Sequence, residues 1–208
     1  MNKYYEDDNT TIYHGDNTNI EIDNYDLLIC DPPYGINYKS NWRINEHLSI
    51  HGDDNLPIER INYFIGMANC ASYIFCRWDK IQLFNTPKSL IAWVKLQHSA
   101  GDLEHEHGRR WEAICFYPGR NHKFTKRPTD VIEIDRTANN RHPTEKPVGV
   151  MEKLISSNEG DIVFDPYCGS GSTLLAARNC GRKSIGIEIE EKYCEIAANR
   201  CRQGVLFG

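Results

Sequence analysis

Short apolar runs alternate with amphipathic stretches along most of this chain. Residues 11–14, Thr-Ile-Tyr-His, read as a strand that ends at Gly15-Asp16. Residues 25–30 are nearly continuous apolar sequence, the pattern of a parallel strand buried on both faces. Ile58, Ile61, Phe64, Ile65 and Ala68 follow helical spacing over residues 58–70. Strands are expected at 72–76, 89–94 and 113–117, with a short helix near 80–84 and a further strand at 131–134. A helix is expected over 147–157, with Pro147 at its first turn. The chain then alternates strictly: strand 161–165, helix 172–180 ending at Gly181, strand 184–188, helix 190–202. That last stretch is a βαβ unit. The expected fold class is therefore α/β, a doubly wound and mostly parallel sheet. One domain is expected over residues 1–208. Residues 36–57 are polar and irregular, and a connection of that length is read as a mobile, functional loop.

Composition narrows the class. Hydrophobic residues make up 40% and charged residues 25%, an ordinary soluble balance, and no run is long enough to span a membrane. No signal-like segment opens the chain, and none of the eight cysteines forms a Cys-x-x-Cys pair. Reduced, buried thiols and a cytoplasmic location are the expectation. His98, His105 and His107 lie in a loop, and no metal site is expected.

The net charge of −5 is unevenly spread. Residues 1–60 carry −8, residues 61–108 are neutral, residues 109–146 carry +4 and the remainder −1. The positive block holds Arg109, Arg110, Arg120, Lys123, Lys126, Arg127, Arg136 and Arg141, interleaved with Trp111, Phe116, Tyr117, His122 and Phe124. Cations mixed with aromatics are the footprint of a phosphate-contacting surface. The plainer reading is a solvated charged loop.

Two segments carry candidate chemistry. Asp31-Pro32-Pro33-Tyr34-Gly35 follows the 25–30 strand, where open α/β sheets place ligands. The prolines stiffen the turn and leave carbonyls without N–H partners. One carboxylate, a rigid carbonyl and an aromatic face suit an exocyclic amino group on a flat ring. The second segment, Asp165-Pro166-Tyr167-Cys168-Gly169-Ser170-Gly171-Ser172-Thr173, joins a strand to a helix through a glycine turn. Such turns let backbone approach a ligand closely. Position 174 is Leu, so the third glycine of the dinucleotide fingerprint is missing. Glu188 ends the next strand, placed either to accept ribose hydroxyls or to sit at a helix N-terminus.

These segments, with His142-Pro143-Thr144-Glu145-Lys146-Pro147 and Gly186-Ile187-Glu188, resemble the beta class of DNA amino-methyltransferases. In that class the catalytic motif precedes the cofactor motif, a circular permutation of the usual order. The resemblance implies a Rossmann-like sheet of seven strands with one antiparallel member, here 113–117. It implies S-adenosylmethionine as cofactor and double-stranded DNA as partner, with no membrane. Asp31, Pro32, Pro33 and Tyr34 would be catalytic. Asp16, Asp31, Thr144, Lys146, Asp165, Tyr167, Cys168, Gly169, Ser170, Gly171, Thr173 and Glu188 would hold the cofactor. Within that set, Asp16 would meet its adenine, and Thr144 and Lys146 its amino-acid end. Residues 96–141 would be the target-recognition insertion. Lys39 and Arg43, with Arg109, Arg110, Arg120, Lys123, Lys126 and Arg127, would contact DNA. Asp at the first position of the tetrapeptide goes with adenine N6 in this family, so adenine is the expected target and cytosine N4 the alternative. An RNA or protein-glutamine methyltransferase, or a silent DNA- or cofactor-binding relic of the fold, are further readings. The short middle region points to a short target site or to help from a second subunit in a homodimer.

Overall fold

The computed structural model describes residues 2–35, 56–98, 104–105, 107–137 and 145–203. Nine strands form one sheet: β1 (Asn2–Glu6), β2 (Thr10–His14), β3 (Leu27–Cys30), β4 (Ala71–Cys76), β5 (Ser89–Val94), β6 (Trp111–Pro118), β7 (Val131–Glu133), β8 (Ile162–Asp165) and β9 (Lys183–Glu188). Among the described residues four α-helices cover it: α1 (Ile58–Met67), α2 (Val148–Ser156), α3 (Ser172–Asn179) and α4 (Glu191–Gln203). The spatial order is β1-β2-β9-β8-β3-β4-β6-β5-β7. β2, β9, β8, β3 and β4 run parallel, and β6 is antiparallel to both neighbours.

The seven strands that the resemblance implies are present, with one more at each edge: β7, expected at 131–134, and β1, which was not expected. β1 was missed because Asn2–Glu6 pairs only with β2, antiparallel, and no residue in it is fully buried. An exposed edge strand has no inner face to impose alternation. The 96–141 segment, expected as a target-recognition insertion, also supplies strands to the sheet. It contains β6, whose Ala113–Tyr117 stretch is buried, and β7, which pairs with β5.

Period-two alternation sends neighbouring residues to opposite faces. Leu27 and Ile29 pack with Tyr73, Phe75 and Ile114 beneath Leu154 and Ile155 of α2 and Ala176 and Ala177 of α3. Leu28, Cys30, Ile74 and Cys115 pack with Phe164 beneath Ile61 and Phe64 of α1. There Phe164 meets Tyr25 and Phe64 at ring separations of 4.8 and 5.2 Å. Each such fully buried large apolar side chain contributes roughly 1.5–3 kcal/mol. α4 covers Ile12, Cys168 and Leu174 through Cys194, Ala197, Ala198 and Cys201. Its two cysteines are packing residues. All eight cysteines are free thiols.

Topology locates the site. From β8 the chain crosses by α3 to β9 on one side; from β3 it crosses by α1 to β4 on the other. β3 and β8 are adjacent, so the connections diverge between them and leave a crevice at their carboxyl ends. Asp165 is the last residue of β8, and Asp31 directly follows β3.

Candidate active site

Asp31 carries two short contacts. Oδ1 accepts the Tyr34 hydroxyl at 2.6 Å, and Oδ2 accepts Lys146 Nζ at 2.6 Å. Burial and the facing Asp31 carboxylate push the Tyr34 phenol up, so it remains a neutral donor. Each carboxylate oxygen keeps a second lone-pair direction for an incoming donor. Pro32 is buried; Pro33 and Tyr34 are partly exposed at the mouth.

Lys146, just before α2, was expected at the cofactor's amino-acid end, and the structure seats it on Asp31. Nζ lies 3.6 Å from Glu112 Oε2 and 5.4 Å from the centre of the Phe75 ring. Glu112 Oε1 in turn binds Lys95, whose Nζ stands 4.6 Å from the Trp93 ring. The result is an alternating row, Asp31, Lys146, Glu112, Lys95. Burial lowers the Lys95 ammonium against the pull of Glu112. Burial opposes the charge on Glu112, but Lys146 and Lys95 hold its carboxyl below the usual range. Burial likewise opposes the charge on Lys146, and Asp31 with Glu112 more than offsets it. Glu112 and Lys95 were missed in the sequence. The available signal was a charge at the end of each of two adjoining apolar strands, and the antiparallel register Trp93↔Glu112 makes them neighbours.

The glycine turn forms the other wall. Gly169 and Gly171 adopt φ of 49° and 81°, left-handed conformations that side chains disfavour. A Cβ on Gly171 would also stand 2.8 Å from Ala197 Cβ, so this glycine brings α4 against the turn. Arg200 of α4 donates to the Ser170 carbonyl at 2.8 Å and pairs with buried Glu145 at 3.1 Å. That pair ties the turn to the segment carrying Lys146. Asp165 accepts the Tyr167 N–H at 3.0 Å, and Tyr167 and Cys168 pack behind it. Glu188 accepts the Gly169 N–H at 2.9 Å and the Glu190 N–H at 2.8 Å. It thus joins the turn to the start of α4, a role continuous with the helix-terminus reading. Asp16 accepts the Thr18 N–H at 2.8 Å, and Gly15 N–H reaches the Glu188 carbonyl at 2.8 Å, so β2 and β9 end together.

Asp16, Asp165 and Glu188 therefore line one half of the crevice, and among the described residues none forms an ion pair. Burial, with Asp31 and Glu188 nearby, raises Asp165 to about 7 despite its bonds to Thr173 and the Tyr167 N–H. Burial also raises Glu188. Acceptors without ion-pair partners suit a ligand that brings hydroxyls and positive charge. They fit a dinucleotide pyrophosphate poorly. A sulfonium nucleoside fits this donor set.

The expected DNA-contacting residues fall in two places. Arg109 and Arg110 are exposed just before β6, at the carboxyl edge, and Arg110 Nε donates to the Lys95 carbonyl at 3.0 Å. Trp78 and Trp111, 60% and 49% exposed, share that edge. Arg120, Lys123, Lys126 and Arg127 follow β6, whose end pairs with the start of β4. They lie at the opposite, amino edge, where Lys123 pairs with Glu159 at 3.2 Å. The structure does not bring these four to the crevice. Lys39, Arg43 and Thr144, with residues 36–55, lie outside the described residues.

Comparison with known proteins agrees with this geometry. A family model described as DNA methylase, of the N6/N4 type, matches residues 77–199, more than half of the chain. The chain is 25% identical to the type II methyltransferase M2.LlaDCHI of Lactococcus lactis subsp. cremoris, over 99% of this chain and 94% of that protein. It is 30% identical to the putative methylase YubD of Escherichia coli, over 81% and 78%. It is 26% identical to the DNA adenine methyltransferase YhdJ of the same species, over 91% and 82%. Among solved structures, the M1.HpyAVI–SAM complex superposes with a TM-score of 0.66 at 28% identity, covering 92% of this chain and 99% of that one. With the sheet, crevice and motifs in place, the chain belongs to the N6/N4 DNA methylase family.

Proposed function

We propose that the protein transfers the methyl group of S-adenosylmethionine to the exocyclic N6 of adenine in double-stranded DNA. The observation that carries this reading is the juxtaposition across one crevice of Asp31, beside β8, with Asp16, Asp165 and Glu188, which form no ion pair among the described residues. The cofactor supplies an electrophilic methyl group on a sulfonium. The residues of this chain do the rest.

Glu188 and Asp16 orient the nucleoside part, and the glycine turn admits the chain that bears sulfur. The target base must leave the duplex to reach Asp31. Its amino group donates to Asp31 and to the Pro32 carbonyl, which favours a pyramidal nitrogen with its lone pair aimed at the methyl. The Tyr34 ring offers a stacking surface. Positive charge develops on nitrogen as the new bond forms, and the Asp31 carboxylate stabilises it and accepts the departing proton. Arg109 and Arg110 are placed to meet phosphates beside the crevice. The reading as adenine rests on Asp at the first position of the tetrapeptide and on YhdJ among the relatives.

The test is incorporation of labelled methyl into duplex DNA followed by nucleoside analysis. Label in N6-methyladenine is the expected outcome. Label in N4-methylcytosine alone would replace the target and keep the chemistry; no label in DNA would remove both.

A further inference from the structure

We propose that Glu112 is a positioning residue for the methyl-transfer reaction, holding Lys146 against Asp31 so that the carboxylate is presented in one orientation. This rests on the methyl-transfer reading above. The simpler account makes Glu112 a cross-strand partner of Lys95 that only ties β5 to β6. Two observations argue against it. Oε2 of Glu112 is turned to Lys146, 3.6 Å away, leaving Oε1 alone to Lys95. Buried charges, moreover, are a poor means of tying strands, since apolar replacements often stabilise as well or better. Here the charges alternate in sign and end on the residue that meets the substrate.

The charged and titratable groups facing Lys146 come from every neighbouring element. Asp31 and Tyr34 follow β3, Glu112 is on β6, Lys95 follows β5, and Arg136 lies beyond β7 near Glu112 and Lys95. The aromatic wall is Phe75 of β4. Lys146 is only 7% exposed, so burial alone would favour the neutral amine. Two carboxylates oppose that. With Glu112 neutralised, Asp31 alone would face the burial cost. The ammonium would then be lost at lower pH, and Asp31 would lose the donor that fixes Oδ2.

Glu112→Gln keeps shape and removes charge, and Glu112→Asp keeps charge. Single-turnover methyl transfer is followed from pH 7 to 10 for wild type and both variants. Calorimetry with S-adenosylhomocysteine runs beside it, and the Lys146 Cε resonance is titrated by NMR in the cofactor-free protein. Glu112→Gln should lower the rate at pH 7 by roughly tenfold, equivalent to about 1.4 kcal/mol in the barrier. The alkaline fall in rate and the Lys146 titration, both above that pH window in wild type, should come down together by about 1–2 pH units. S-adenosylhomocysteine affinity should hold, and Glu112→Asp should recover most of both shifts. An unmoved Lys146 titration in Glu112→Gln would overturn the inference, as would a Glu112→Asp variant no better than Glu112→Gln. The NMR titration needs no turnover, so it still decides the role of Glu112 if wild type fails to methylate DNA.

Discussion

The two halves of the crevice use acidic residues in opposite ways. On the β2–β9–β8 side, Asp16, Glu188 and Asp165 are held by backbone and hydroxyl donors, without ion pairs among the described residues. On the β3–β4–β6 side, Asp31 and Glu112 alternate with Lys146 and Lys95. A bound sulfonium nucleoside brings its own positive charge to the first half. A base is neutral, so the protein must supply the counter-charge in the second. The unpaired half stores unfavourable free energy that ligand binding can relieve, while the paired half is settled in advance.

That contrast is most exposed at Asp165. Its carboxyl titrates at about 7 against an ordinary 3.8, so the folded state holds a proton that the unfolded chain releases between those values. Stability of the cofactor-free protein should therefore fall as pH rises from 4 to 7 and level off above. The loss is up to about 4 kcal/mol. Asp165→Asn should flatten the profile, read by thermal melts across that range. An unchanged profile would mean that this half is not strained.

On the other half, Asp31→Ala should reduce methyl transfer by ~10²–10³, the usual worth of a charge-stabilising contact, and leave S-adenosylhomocysteine binding largely intact. Equal losses in both would erase the division between halves. Glu188→Ala should act in reverse, weakening S-adenosylhomocysteine by roughly 10- to 100-fold through lost charge-assisted hydrogen bonds. Calorimetry reads that loss. The smallest effect concerns the two edges of the sheet. Replacing Arg109 and Arg110 by Ala should reduce the log–log salt slope of DNA binding by about 1.8. The fourfold variant of Arg120, Lys123, Lys126 and Arg127 should keep the slope, because those residues sit at the far edge.

Much of this architecture was legible in the chain. Apolar runs such as 27–30 and 163–165 are buried on both faces and give strong strand signals, and Asp31 and Asp165 were identified because they stand at the ends of those runs. What escaped was relational. The row Asp31, Lys146, Glu112, Lys95 joins four segments, and only register and strand direction bring them together. The basic block is divided for the same reason. Contiguity from Arg109 to Arg127 suggested one surface, but an eight-residue antiparallel strand lies between and carries its ends to opposite edges.

β6 has a consequence for how such a protein can change. It runs back through the sheet beside β5, so the chain leaves Val94 and returns at Trp111 on the side where the proposed reaction would handle the base. That connection can be exchanged, lengthened or trimmed without altering a single strand that holds the cofactor. If the proposed DNA contact at Arg109 and Arg110 sets target choice, then target choice and methyl donation are separable inheritances: one scaffold could acquire a new recognition sequence by loop replacement alone.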